Sequence, residues 1–142
     1  MADRRAGLLV IARPCLRTIR EHAEAAWPHE ACGLLEGHAA GRFLRVRRVI
    51  ACRNEHEDPA HRYRIDPETF LRAERAAERV ERRVVGVWHS HPHGEAYLSD
   101  TDRAEAWPGW SYLVAGVTNG SMQALRAWFI DDEPLEQRLR LD

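Results

Sequence analysis

Residues 84–92 read Val84-Val85-Gly86-Val87-Trp88-His89-Ser90-His91-Pro92. The run up to Trp88 is almost continuously apolar and rich in β-branched side chains, the pattern of a central strand covered on both faces. A strand's pleat sends residues two apart to the same side, so His89 and His91 leave the end of this strand on one face. Pro92 has no N–H to give a ladder and ends the pairing. A buried strand that delivers two imidazoles to a solvent-accessible end is a rigid support for chemistry.

The flanking segments supply strands and helices to go with it. Leu8 to Ala12 reads as a first strand, and Pro14 stands early in a helix whose Leu16, Ile19, Ala23 and Ala26 recur at helical spacing up to the Trp27-Pro28 break. Ala31 to Leu35 is a short apolar run, followed by a turn over 37–41 and a strand over 43–52. In that strand Leu44 and Val46, then Val49, suggest a bulge, and the two runs form a hairpin. Residues 53–62 are a polar surface loop, and Tyr63 and Ile65 alternate like a brief strand. Asp66-Pro67 starts a helix as N-cap and first residue, with Phe70, Ala73, Ala77 and Val80 as one apolar stripe to about Arg83. Downstream come a short helix over 99–107, strands over 112–117 and 122–130 joined by an Asn119-Gly120 turn, and a last strand marked by Leu135, Leu139 and Leu141. The expectation is an α/β fold, a mixed β-sheet flanked by helices in a single domain over 1–142.

Composition narrows the function. The 142 residues carry a formal charge of −1, which gives no basic surplus for gripping a phosphate backbone. No stretch approaches a membrane span, and the run after Gly7 is too short for a signal-peptide core, so a cytoplasmic protein is expected. Cys15, Cys32 and Cys52 are odd in number and widely spaced, which fits reduced, packed thiols rather than a disulfide framework or a Cys-based zinc site. All 21 basic residues are Arg.

Two inward imidazoles need a partner, and a catalytic metal site needs a third protein ligand and an open position. Asp102 stands eleven residues after His91. Ser99-Asp100-Thr101-Asp102 also reads as a capping box, which accounts for Ser99 and Asp102 without metal; the His pair upstream favours a His-x-His…Asp set suited to Zn²⁺. Glu30, taken alone, is an exposed acid at the mouth of a strand. His93 reads as a solvated loop histidine.

Pro28-His29-Glu30-Ala31-Cys32-Gly33-Leu34-Leu35, His89-Ser90-His91-Pro92 and Ser99-x-x-Asp102 together resemble the JAMM (MPN-plus) metalloprotease motif, in order and spacing, across nearly the whole chain. The resemblance implies a JAMM/MPN, cytidine deaminase-like fold. It also implies Zn²⁺ on His89, His91 and Asp102, with Glu30 as general acid/base and Ser99 donating to the oxyanion. Leu98 stands where many members have Pro, which bears only on the rigidity of that turn. Cys32 and Gly33 match the family's strand after the Glu, as packing and as a close backbone approach respectively.

Glu95-Ala96-Tyr97 and Thr101-Asp102 resemble the short bacterial peptidases that process sulfur carriers, and there is no room between His91 and Asp102 for the long insertions of deubiquitinases. The implied partner is a ubiquitin-like sulfur carrier of ThiS- or MoaD-like type, cleaved after its Gly-Gly, with release of cysteine or trailing residues. The loop 53–62 and Trp107 and Trp110 read equally as partner surface or as solvated loop and core aromatics. Three other readings fit less well. A non-catalytic scaffold of the same fold would lack one or more ligands, a deaminase would carry H-x-E…P-C-x-x-C, and a structural zinc site would be closed.

Overall fold

The computed structural model describes residues 7–142. The elements run β1 (Leu8–Ile11), α1 (Arg13–Ala26), β2 (Cys32–Ala40), β3 (Phe43–Cys52), α2 (Pro67–Glu78), β4 (Arg83–His91), α3 (Asp100–Ala104), β5 (Trp110–Thr118), β6 (Ser121–Ile130) and β7 (Pro134–Leu141). The strands close on themselves in the order β1-β3-β2-β4-β5-β6-β7. β4 lies at the heart of this mixed sheet, antiparallel to β2 and parallel to β5, while β1 is parallel to both β3 and β7.

The α/β expectation holds, and closure into a barrel adds to it. The alternation along β4 and its neighbours explains why both faces are covered. Trp88, Leu35, Leu113 and Ala115 point to one side, where they pack with Cys15, Ile19 and Ala23 of α1. Val87, Leu34, Tyr112 and Val114 point to the other, where Ala73 and Phe70 of α2 cover them. His89 and His91 share the parity of Val87 and so emerge on the α2 side, at the end where α2 no longer covers the sheet. None of the helices among the described residues is long and apolar enough to cross a membrane.

Local signals set most boundaries. α1 opens with Pro14 in its first turn and ends before Trp27, and α2 is capped by the Asp66 side chain, which accepts from the Glu68 N–H at 3.2 Å. The Asn119-Gly120 turn has both residues at positive φ, 50° and 82°, as a two-residue hairpin of this type requires. The bulge lies at Arg47, because Glu36 pairs with Arg48 and Gly37 with Val46.

Three expectations are corrected. The turn expected over 37–41 shrinks to Gly41-Arg42, and Gly37 belongs to β2, where a Cβ would collide with the Arg45 carbonyl. Tyr63 and Ile65 are not a strand; they lie in an irregular segment and pack their side chains against the α2-side core. α2 ends at Glu78 rather than near Arg83: the chain turns back at Glu81, at φ 59°, and Val80 is exposed instead of continuing the apolar stripe.

Candidate metal and hydrolytic site

The two imidazoles converge. His89 Nε2 lies 3.1 Å from His91 Nε2, and Oδ2 of Asp102 lies 3.2 Å from the first and 3.3 Å from the second. His89 is fully buried and Asp102 nearly so. Three ligands held at about 2.0–2.1 Å around a tetrahedral ion sit about 3.3–3.4 Å apart, so this triangle of two nitrogens and one oxygen has the size and donor chemistry for Zn²⁺. The Glu30 carboxylate forms a second, looser set with the same imidazoles, its ligand atoms within 4.8 Å of theirs. The shorter contacts single out Asp102 as the third candidate donor and leave Glu30 facing the triangle from across the cleft.

Each side chain has a local reason to be there. His91 Nδ1 is 2.9 Å from the Glu95 carbonyl, which can only accept, so Nδ1 carries a proton and Nε2 is the nitrogen that faces inward. His89 Nδ1 has no hydrogen-bond partner among the described residues; the ring is held instead by Tyr63, stacked at 4.6 Å between centroids and 22° between planes. Asp102 is the N3 residue of α3. Its carboxylate accepts from the Ser99 N–H at 2.9 Å, and Ser99 Oγ accepts from the Asp102 N–H at 3.0 Å. The capping box and the donor triangle therefore coexist in one carboxylate, and the two readings of Asp102 do not compete. Ser99 Oγ uses a lone pair in the cap, which leaves its O–H free to donate into the cleft.

Glu30 precedes β2 and is 5% exposed. Its N–H donates to the Pro59 carbonyl at 2.7 Å, and the next residue, Ala31, is tied to β4 by an N–H to Ser90 Oγ bond of 2.8 Å and a Ser90 N–H to Ala31 carbonyl bond of 3.0 Å. Ser90 faces away from the imidazoles, as strand parity demands, and fastens the Glu30 segment to the strand that carries them. Burial pushes the Glu30 carboxyl up to about 7, an effect that the positive His91 opposes and Asp102 reinforces. For Asp102, burial acts upward but is outweighed by the two histidines and the Ser99 N–H, which hold it well below the usual carboxylate range. His91 is raised: burial works against its charge, and Asp102 and the Glu95 carbonyl overcome it.

The cleft in front of these groups holds about 300 Å³ and is walled by Glu30, His61 and Tyr63 on one side and Pro92, Tyr97 and Ser99 on the other. All five residues singled out in the sequence thus meet at one place. His93 stays outside the triangle, exposed, and stacks on His61 at 6.0 Å. Cys32 is packed, its thiol pushed up to about 12 chiefly by burial, and a Cβ on Gly33 would collide with the Ile50 carbonyl and the Trp88 indole. Trp110 packs on Phe70 at 5.3 Å, whereas Trp107 is 68% exposed.

Sequence reasoning missed Tyr63, Ser90 and Trp27, whose indole N–H donates to the Pro92 carbonyl at 3.1 Å and braces the turn after the histidines. The parity of Ser90 was readable from the strand; the other two depend on contacts between distant segments.

A family model for the prokaryotic homologs of the JAB domain matches residues 12–131. The desampylase of Haloferax volcanii is 33% identical over 87% of this chain and 88% of its own. The CysO-cysteine peptidase of Mycobacterium tuberculosis is 32% identical over 88% and 84% respectively. Among solved structures, a protein of Desulfitobacterium hafniense superposes with a TM-score of 0.84 at 28% identity, covering 95% of this chain and 93% of its own. A JAB1/MPN domain protein of Archaeoglobus fulgidus, at 18% identity and a TM-score of 0.58, covers 94% and 96% and shares the fold. By the extent of the family match and by its barrel, this chain belongs to the prokaryotic homologs of the JAB domain, with a JAMM/MPN fold.

Proposed function

We propose that this chain is a JAMM-type zinc peptidase of the cytoplasm, one domain over 1–142. On this reading it hydrolyses the amide bond after the C-terminal Gly-Gly of a ubiquitin-like sulfur carrier and releases cysteine or trailing residues. The observation that carries the reading is the triangle of His89 Nε2, His91 Nε2 and Asp102 Oδ2, 3.1–3.3 Å on each side, with Glu30 and Ser99 in the same cleft. Relatives named for cleaving CysO-cysteine and for desampylation support the substrate class.

His89, His91 and Asp102 would hold Zn²⁺, which when bound supplies a Lewis acid and brings the pKa of water from about 15.7 towards 7. Glu30 takes a proton from the attacking water as the oxygen–carbon bond forms. It returns that proton to the amine as the carbon–nitrogen bond breaks. Burial favours the protonated form of this carboxyl in the metal-free protein, the direction expected of a group that both takes and returns a proton. Ser99 donates its free O–H to the oxyanion, a contact of the kind worth about 3 kcal/mol in hydrolases. The small Gly-Gly segment lets the scissile bond reach the buried groups.

The test is mass spectrometry of a carrier extended beyond its Gly-Gly, incubated with zinc-loaded wild type and with Glu30→Gln. Cleavage after Gly-Gly by the wild type alone is the expected result. An intact carrier despite stoichiometric zinc refutes the substrate assignment.

A further inference from the structure

The connection 53–66 between β3 and α2 is long for a compact domain, and one side chain, Asn54, gathers its two ends and the Glu30 segment. Asn54 uses all four of its hydrogen-bonding positions. Nδ2 donates to the carbonyls of Glu30 at 3.0 Å and Arg62 at 2.9 Å, and Oδ1 accepts from the N–H groups of His56 at 3.0 Å and Arg64 at 3.2 Å. The partners fix which way the amide points, since two carbonyls can only accept and two N–H groups can only donate.

What Asn54 grips is the segment that carries the acid. β2 begins at Cys32, so Glu30 lies outside the ladder and both of its own backbone polar groups are satisfied by the loop: the N–H by Pro59 and the carbonyl by Asn54. On the far side Ala31 is fastened to Ser90. Glu30 is thus suspended between the strand that bears the histidines and a loop that Asn54 closes together with the Glu55 N–H to Arg64 carbonyl bond of 2.9 Å. The same loop ends in Tyr63, which stacks on His89. Loop closure therefore sets the Glu30 carboxylate and the His89 ring relative to one another.

We infer that Asn54 is a positioning residue for the hydrolysis: by clamping the loop 53–64 to the Glu30 carbonyl, it holds the Glu30 carboxylate opposite the His89–His91–Asp102 triangle. This rests on the reading of Glu30 as the acid/base. Asn54 lies outside the triangle and does not line the cleft in front of it, and its contact with the acid is to the Glu30 backbone carbonyl, so it acts through Glu30.

The test uses Asn54→Ala and Asn54→Asp in the full chain; the Asp variant keeps the oxygen that accepts from His56 and Arg64 and loses the amide that donates to Glu30 and Arg62, and it also serves if the Ala variant fails to fold. With the extended carrier as substrate, both variants keep stoichiometric zinc and a KM within about twofold of wild type, while kcat falls roughly 30- to 100-fold, as expected for a misplaced catalytic group. In a Glu30→Gln background the same substitutions lower the residual kcat by no more than about twofold, because the group they position is already disabled. Amide hydrogen exchange reads the link without turnover: the Glu30 N–H loses at least about tenfold protection in both variants, while Val87 and Leu113 in the core strands keep theirs.

Full kcat in both Asn54 variants, or an equal fold-loss with and without Glu30, overturns the proposal and leaves the peptidase reading standing. Unchanged protection of the Glu30 amide overturns it as well. Wild-type turnover in Glu30→Gln alone refutes the acid/base reading, and the inference falls with it.

Discussion

Glu30→Gln separates what the buried acid costs from what it does. In metal-free protein, burial raises the Glu30 carboxyl from its ordinary 4.5 to about 7. An acid whose folded value is raised binds its proton more tightly in the native state. Between pH 4.5 and 7 the unfolded chain therefore holds fewer protons than the folded one, and stability falls as pH rises. That rise from 4.5 to about 7 corresponds to roughly 3 kcal/mol of penalty once pH exceeds 7, and to less than about 1 kcal/mol at pH 5. Glu30 is 5% exposed, so solvent screening takes little of this away. Gln keeps the shape and drops the charge. Urea unfolding of chelator-treated wild type and Glu30→Gln should accordingly show the variant gaining about 2–3 kcal/mol on wild type between pH 5 and pH 8, a large share of a typical domain's stability. A gap between the two proteins that is the same at both pH values refutes the argument, because only ionisation of Glu30 makes it pH-dependent. Turnover should move the other way, falling about 10²–10⁴-fold with zinc retained.

Four further outcomes follow from the same geometry. Asp102→Ala should lose zinc and turnover together, whereas Asp102→Asn, which still accepts from the Ser99 N–H, should keep the α3 cap and weaken zinc; metal competition titration with far-ultraviolet circular dichroism checks both. Ser99→Ala should cost about 1 kcal/mol through the lost cap and about 10²-fold in kcat with zinc unchanged, read by denaturation and kinetics side by side. Gly33→Ala forces a methyl into the Ile50 carbonyl and the Trp88 indole and should destabilise by about 2–3 kcal/mol or more, seen as a lowered urea midpoint with unchanged slope. Cys32, packed at 1% exposure and raised to about 12, should resist alkylation at pH 8 in the native protein and react on unfolding; rapid native labelling followed by mass spectrometry would contradict its packing role.

The parts of this molecule that were legible in the sequence are those whose cause is local. His89 and His91 follow from the pleat of one strand, the α2 start from Asp66-Pro67, the β5–β6 hairpin from Asn119-Gly120, and the bulge from the slip between Val46 and Val49. Glu30 was legible only through family resemblance: nothing around residue 30 reveals that Pro59 and Ser90 will fold over it. Closure of the sheet was hidden for the same reason, since it depends on β1, four residues long, pairing in parallel with both β3 and β7. Tyr63 was misread because alternation over two residues looks the same in a strand and in a loop pressed against a core. The end of α2 was overrun because Val80 keeps the helical spacing after the chain has turned away.

The alternation along β4 also decides which edits this scaffold can absorb. One residue inserted or deleted between Val84 and Trp88 exchanges every downstream side chain across the sheet, turning His89 and His91 towards α1 and Trp88 towards the cleft. No repacking nearby repairs that, because the whole face changes at once. Two residues preserve the faces but draw the histidines past Asp102 by about 7 Å. Length variation in working relatives of this chain should therefore gather in the turn at Gly41 and Arg42 and around Asp131 to Glu133, and leave 84–91 untouched. In β4, position along the strand is itself the inherited information, and the identities of the two histidines are useful only while that count is kept.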